Sequence, residues 1–184
     1  FGMASSDLQE LVHQALTGAS GQGATQAEAA ASLGTGLSVM VRRGEVETLE
    51  YQRDRGFTVT VYFGQKKGSA STSDLAVHSI QETVAKACSI ARFTAEDPLL
   101  GLADADLMPK EVPDLSLDHP WGLSPDEAIG IATECEAAGL EFDPRISNSE
   151  GGTLNTHRGM RVYGNTHGFV GGYSSSNHGL SCVL

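Results

Sequence analysis

The sequence predicts an α+β fold of antiparallel or mixed sheets backed by helices, arranged as two successive α/β subdomains. Three observations point there. Between Gly56 and Gly64, Phe57, Val59, Val61 and Phe63 alternate with Thr58, Thr60 and Tyr62, the period of a half-buried strand. Val77, Ile80, Val84, Ala87 and Ala91 follow steps of three and four, the stripe of an amphipathic helix. From Arg145 onward, glycines at 151, 152, 159, 164, 168, 171, 172 and 179 punctuate the chain, which suits several short antiparallel strands with tight turns.

The elements follow in order. Leu8, Leu11, Val12, Ala15 and Leu16 predict a helix over about 7–17, with Ser6 or Asp7 as its cap and Gly18, Gly21 and Gly23 ending it. Ala24 to Leu33 is alanine-rich and reads as helix on propensity alone. Leu37, Val39 and Val41 then share one face of a strand, and Gly44 turns it into a second strand from Glu45 to Arg53. Gly56 and Gly64 bound a third. A turn from Gly64 to Gly68 leads into a polar strand from Ser69 to Ser73, and Asp74 caps the helix carrying the Val77 stripe and Cys88. Residues 97–120 hold four of the six prolines together with five aspartates, and form a connector. Ser124-Pro125-Asp126-Glu127 is a capping box with proline at N1, and Ala128, Ile131, Ala132 and Cys135 form the buried face of its helix. Trp121 stands where it could staple that helix or anchor an interface, and Ser174 to Asn177 reads as a hairpin loop. The division is 7–96, a connector at 97–120, and 121–184, this last subdomain reading as truncated.

A formal net charge of -11, from 23 acidic against 12 basic side chains, repels phosphate backbones and anionic membranes, so no direct nucleic-acid or membrane partner is expected. Cys88, Cys135 and Cys182 are odd in number and widely spaced, the pattern of thiols in a reducing compartment. No apolar run approaches the length of about 20 residues that spans a bilayer. A cytoplasmic protein is expected.

Several ordered words are more specific than these patterns: G-E-V-E-T-L-E-Y from Gly44, R-D-R-G from Arg53, S-A-S-T-S-D from Ser69, A-R-F-T-A-E-D-P-L-L-G-L-A-D from Ala91, H-P-W-G-L-S-P-D-E-A from His119, N-S-E-G from Asn148 and Y-G-N-T-H-G-F from Tyr163. Together they resemble the N-terminal half of PmbA-type (TldE-type) subunits of the TldD/PmbA family, from about Thr35 onward. The resemblance implies that Ala24 to Leu33 enters the sheet as a strand. It implies an N-terminal region whose C-terminal domain lies outside this chain, and Phe1-Gly2 before Met3 is read as foreign to the fold. It also implies a zinc-dependent peptidase, formed with a TldD-type partner, that processes small or unfolded peptides such as a microcin precursor or an antitoxin. A homodimer is the other assembly considered. The family label "modulator of DNA gyrase" keeps a non-proteolytic regulator as the alternative. In the pair, the TldD-type subunit carries H-E-x-x-x-H for zinc; none of His13, His78, His119, His157, His167 and His178 is followed by Glu. No cofactor is expected in this chain, and zinc is expected in the partner.

No catalytic or metal-ligating residue is assigned. Asn148, Glu150, Tyr163, Asn165 and His167 fall within the family words and are the candidates for shaping a peptide cleft. His157, His167 and His178 with Glu150 or Asn165 could converge on neighbouring strands, but hydrogen bonding across a sheet is the simpler role for such histidines. Ser149 beside Glu150 lacks an orienting third group and reads as part of a polar turn.

Overall fold

The computed structural model of the chain describes residues 3–184, so the reading of Phe1 and Gly2 lies outside the described residues. The elements are α1 (Ser5–Gly21), β1 (Gln26–Arg42), β2 (Glu45–Phe63), β3 (Lys66–Thr72), α2 (Val77–Phe93), a 3-10 turn (Ala105–Leu107), α3 (Pro125–Glu141), β4 (Gly151–Asn165) and β5 (Val170–Val183). The strands form one antiparallel sheet in the order β3-β2-β1-β4-β5.

The strands are fewer and longer than the glycines suggested. Gly56 does not break β2: it sits where a Cβ would stand 3.1 Å from Ser32 Oγ, so its role is close approach. Gly68 lies inside β3 for a similar reason, because a Cβ there would run into the backbone of Ala87 and Ala91 on α2. The turn between β2 and β3 is therefore Gly64-Gln65, with Gly64 at φ +61°, and the ladder runs from Phe57 opposite Thr72 to Phe63 opposite Lys66. Arg43 and Gly44, at φ 52° and 79°, make the two-residue turn between β1 and β2. The C-terminal meander is a single hairpin, β4 and β5, and Ser174 to Asn177 lies within β5 rather than in a loop.

Within Ala24–Leu33 the chain is strand from Gln26 onward, against the helix propensity of the stretch. Ala27, Ala29, Ala31 and Leu33 are buried in alternation, and burial against helices decides the matter where propensity is weak. Helix α1 runs on through Gly18 to Gly21, and Asp7 acts at N3, its carboxylate accepting the Ala4 N–H at 2.7 Å. Asp74 caps α2 from outside, accepting from Ala76 N–H (3.0 Å) and Ser79 Oγ (2.6 Å). Val77 is exposed; the stripe that packs is Ile80, Val84, Ala87, Cys88 and Ala91. Ser124 and Glu127 form the reciprocal capping box expected of α3.

Contacts divide the chain into two compact units built from non-consecutive segments. One comprises residues up to Leu33, Asp54–Leu115 and Met160–Tyr173; the other Gly34–Arg53, Ser116–Gly159 and Ser174–Leu184. The interleaving follows from strand length, since β1, β2, β4 and β5 each contribute to both. In the first unit, α1 and α2 bury Leu8, Val12, Val84 and Cys88 against Ala27, Ala29, Phe57, Val59, Val61 and Val162. In the second, Ala128 and Ala132 of α3 cover Leu37, Val39, Val41 and Leu154.

Candidate functional site

In the first unit, the strand residues that alternate with the core line a polar cleft of about 340 Å³. Glu28, Ala30 and Ser32 come from β1, Thr58 and Thr60 from β2, and Arg161 and Tyr163 from β4. Strand alternation places them there: each is flanked by residues turned into the core. At one side the Glu28 carboxylate accepts two phenols, Tyr163 at 2.8 Å and Tyr62 at 3.3 Å. Burial, followed by the charge and hydrogen bond of Glu28, pushes the Tyr62 phenol up to about 12. Burial raises the Tyr163 phenol as well, opposed by the hydrogen bond from Asn165 and reinforced by the hydrogen bond to Glu28 and its charge. Both phenols are therefore donors at neutral pH rather than nucleophiles or bases.

Three of the sequence candidates meet at this cluster. Asn165 is 2% exposed; its Nδ2 donates to Tyr163 Oη (3.3 Å) and Met108 Sδ (3.1 Å), and its Oδ1 accepts the His167 N–H (3.1 Å). His167 Nε2 donates to Ala103 O at 2.9 Å. Thr166 stitches the same turn to β1, its Oγ1 accepting from Ala27 N–H (3.0 Å) and its own N–H reaching Ala27 O (2.9 Å). Phe169 lies 6.2 Å from the Tyr163 ring. Asn165 and His167 thus hold the turn behind Tyr163, and Tyr163 faces the cleft. Glu28 and Tyr62 were missed by sequence reasoning. The available signal was that Glu28 is the sole charged side chain between Ala24 and Leu33.

Asn148 and Glu150 belong to the other unit. Asn148 Oδ1 accepts from Arg43 Nη2 at 3.1 Å, and the Glu150 N–H donates to Val183 O at 2.8 Å while its side chain is exposed. Between them Ser149 is buried and donates a very short hydrogen bond to Glu136 Oε2. Glu136, 1% exposed, also accepts the Gly44 N–H at 3.0 Å, and Arg42 Nε donates to Ser149 O at 2.8 Å. Burial pushes this carboxyl up, but the hydrogen bonds from Ser149, Gly44 and Arg43 and the Arg42 charge together hold it below the ordinary glutamate range. Glu136 thus ties the β1–β2 turn to the entry of β4. It continues the Ala128, Ala132 stripe by one more step of four, which is where the sequence could have shown it.

The second unit also has a cleft of about 300 Å³ containing Tyr51, Trp121, Arg158 and His178. Trp121 is 41% exposed and packs edge-on to the His178 ring at 5.5 Å. Arg158 forks onto Asp118 at 2.5–3.1 Å, which holds the Asp118 carboxyl below its usual range. His178 is engaged at both nitrogens, by Thr156 Oγ1 (2.8 Å) and His119 O (2.8 Å), and His119 Nε2 by Ser116 O (2.7 Å). Imidazoles held in this way do not offer a zinc donor set, and no group of three or more His, Cys, Asp or Glu among the described residues could hold a metal ion. Zinc does not fit these residues. No helix among the described residues is long and apolar enough to cross a membrane.

Fold and cleft define an α+β protein whose polar floor is presented by long antiparallel strands backed by helices. A family model described as PmbA/TldA metallopeptidase domain 1 matches residues 27–91, and one described as the PmbA/TldA metallopeptidase central domain matches residues 118–184. The chain belongs to the PmbA/TldD metallopeptidase family. It is 48% identical over 178 residues to the metalloprotease PmbA of Escherichia coli O157:H7, and 43% identical over 178 residues to a metalloprotease PmbA homolog of Haemophilus influenzae. These alignments cover 96% and 97% of this chain but 39% of each relative, so the chain spans about two-fifths of their length. Among solved structures, a Bacteroides thetaiotaomicron protein designated a modulator of DNA gyrase superposes with TM-score 0.87 at 21% identity, over 98% of this chain and 41% of that one. TldE of Thermococcus kodakarensis superposes with TM-score 0.70 at 16% identity, over 92% and 37% respectively. These two likenesses show the fold.

Proposed function

We propose that this chain is the non-metal-binding N-terminal region of a PmbA-type subunit, which joins a TldD-type partner in a zinc-dependent peptidase and holds small or unfolded peptides for it. The observation that carries the reading is the Glu28–Tyr62–Tyr163 cluster at the cleft. It offers hydroxyls and a carboxylate for hydrogen bonding to a peptide, and its phenols are held protonated, so it binds without attacking. Ser32, Thr58, Thr60 and Arg161 extend the same polar floor, which suits main-chain groups and makes little demand on peptide sequence. Zinc and its chemistry come from the partner in this reading. The widely spaced cysteines support a reducing, cytoplasmic setting.

The test is fluorescence anisotropy of a labelled unfolded peptide titrated with this chain. Binding without cleavage is expected, weakened several-fold in Tyr163→Phe and Glu28→Gln. Equal affinity of both variants and the parent would remove the cleft from the account.

A further inference from the structure

We infer that Cys135 and Cys182 form a thiol pair that oxidises reversibly to an intrachain disulfide, a modification site joining α3 to β5 within the second unit. The sequence sets them far apart, and the fold brings them together. On α3, Ala128, Ala132 and Glu136 are buried, with Cys135 beside Glu136 and Gly139 further along the helix. Cys182 in β5 and Leu184 just after it stand on one face. Two glycines let helix and sheet approach closely: a Cβ at Gly152 would stand 2.5 Å from Ala132 O, and one at Gly139 would stand 2.5 Å from Leu184 Cδ1. A disulfide needs backbones this close. Cys135 lies about one helical turn, roughly 6 Å, before Gly139, and Cys182 lies two strand residues, roughly 7 Å, before Leu184. With Gly139 against Leu184, these matching steps bring the two cysteines level. Ser149 fixes the direction, because it donates to Glu136 and is also hydrogen-bonded to the Cys182 thiol. Both cysteines are half-buried and free.

The neighbouring groups set the order of the chemistry. Burial, then the charges of Cys135 and Glu136, push the Cys182 thiol up against the opposing hydrogen bond of Ser149. Cys182 therefore keeps its proton, and Cys135 supplies the attacking thiolate. That thiolate attacks one sulfur of a small-molecule disulfide such as oxidised glutathione, forming a mixed disulfide on Cys135 and releasing one glutathione thiolate. The Cys135 sulfur is now neutral, which removes one of the causes that hold the proton on Cys182. Cys182 then ionises, attacks Cys135 Sγ and releases the second glutathione, and the two protons pass through solvent to the departing thiolates. Two protein thiols are oxidised by two electrons in all, and one glutathione disulfide is reduced to two thiols. In a reducing compartment the pair stays reduced, and the bond forms when such disulfides accumulate. It closes a long loop of chain, so the oxidised second unit resists unfolding more than the reduced one. Cys88, buried in the first unit, takes no part.

Incubation of this chain with oxidised glutathione, followed by thiol titration and peptide mapping by mass spectrometry, tests the assignment. Of the three free cysteines only Cys88 should remain a thiol, with one peptide cross-linked through Cys135 and Cys182, and dithiothreitol should restore all three. The urea midpoint should rise on oxidation in the parent and stay unchanged in Cys135→Ser. Cys182→Ser should stop at glutathione bound to Cys135. Three thiols that persist in the parent, a cross-link through Cys88 or between two chains, an oxidised parent no more resistant to urea than the reduced one, or Cys182→Ser that takes up no glutathione at Cys135 would each overturn the proposal. Mapping of the parent needs no variant, so a misfolded substitution leaves the test intact. None of these outcomes bears on the peptide titration, which reads the first unit.

Discussion

Two carboxylates, the buried Glu136 and the half-buried Glu28, do different work here. Glu136 is held below its ordinary pKa, so its contribution to stability is present above the unfolded-state value and is lost as pH falls through the folded-state value. Glu136→Ala leaves the Gly44 N–H and the Ser149 hydroxyl without their acceptor in a buried site, and should cost about 2–4 kcal/mol in urea unfolding at neutral pH. Glu136→Gln should flatten the acid limb of the stability profile. The Glu28 cluster works in the opposite direction. Tyr62 keeps its proton to about 12 when folded, and an unfolded tyrosine ionises near 10, so stability should fall as pH rises from about 10 to 12. Tyr62→Phe should remove that alkaline decline, measured by chemical denaturation across the window.

At the scale of elements, the sequence was most legible where one signal acted alone. The alternation from Phe57 to Phe63, the Ile80–Ala91 stripe and the Ser124–Glu127 box each specify their element locally, and each is present. Glycine is an ambiguous signal because the same residue serves turns and close approach. Gly44 and Gly64 sit at positive φ in turns, whereas Gly56 and Gly68 make room for Ser32 and for α2. Which role applies depends on the neighbour across the sheet, and that neighbour is distant in sequence. Gly68→Ala should therefore push β3 off α2 and destabilise the first unit by about 1–3 kcal/mol, read as a lower thermal midpoint. An alanine at Gly44 would face open space but meet a strained φ of +79°, and should cost roughly 1 kcal/mol. Glu28 stayed hidden for a related reason: its partners Tyr62 and Tyr163 are 34 and 135 residues away.

For the whole molecule, strands that run through both units give it two surfaces with separate chemistry, the Glu28 cleft in one and the Tyr51–Trp121 cleft in the other. Neither brings an activated nucleophile to its surface: the phenols are held protonated and His178 is hydrogen-bonded at both nitrogens. Under the proposed function this region would bind peptide and build the subunit, and a metal-bearing partner would cleave the bond. The most direct measurement incubates one unfolded peptide with the full-length protein carrying this chain, with a TldD-type partner, and with the two mixed, and follows its cleavage by mass spectrometry. Rapid cleavage is expected in the mixture, with the full-length protein inert by itself and Glu28→Gln slowing the mixture. Cleavage by the full-length protein alone, abolished by His167→Ala, would contradict it.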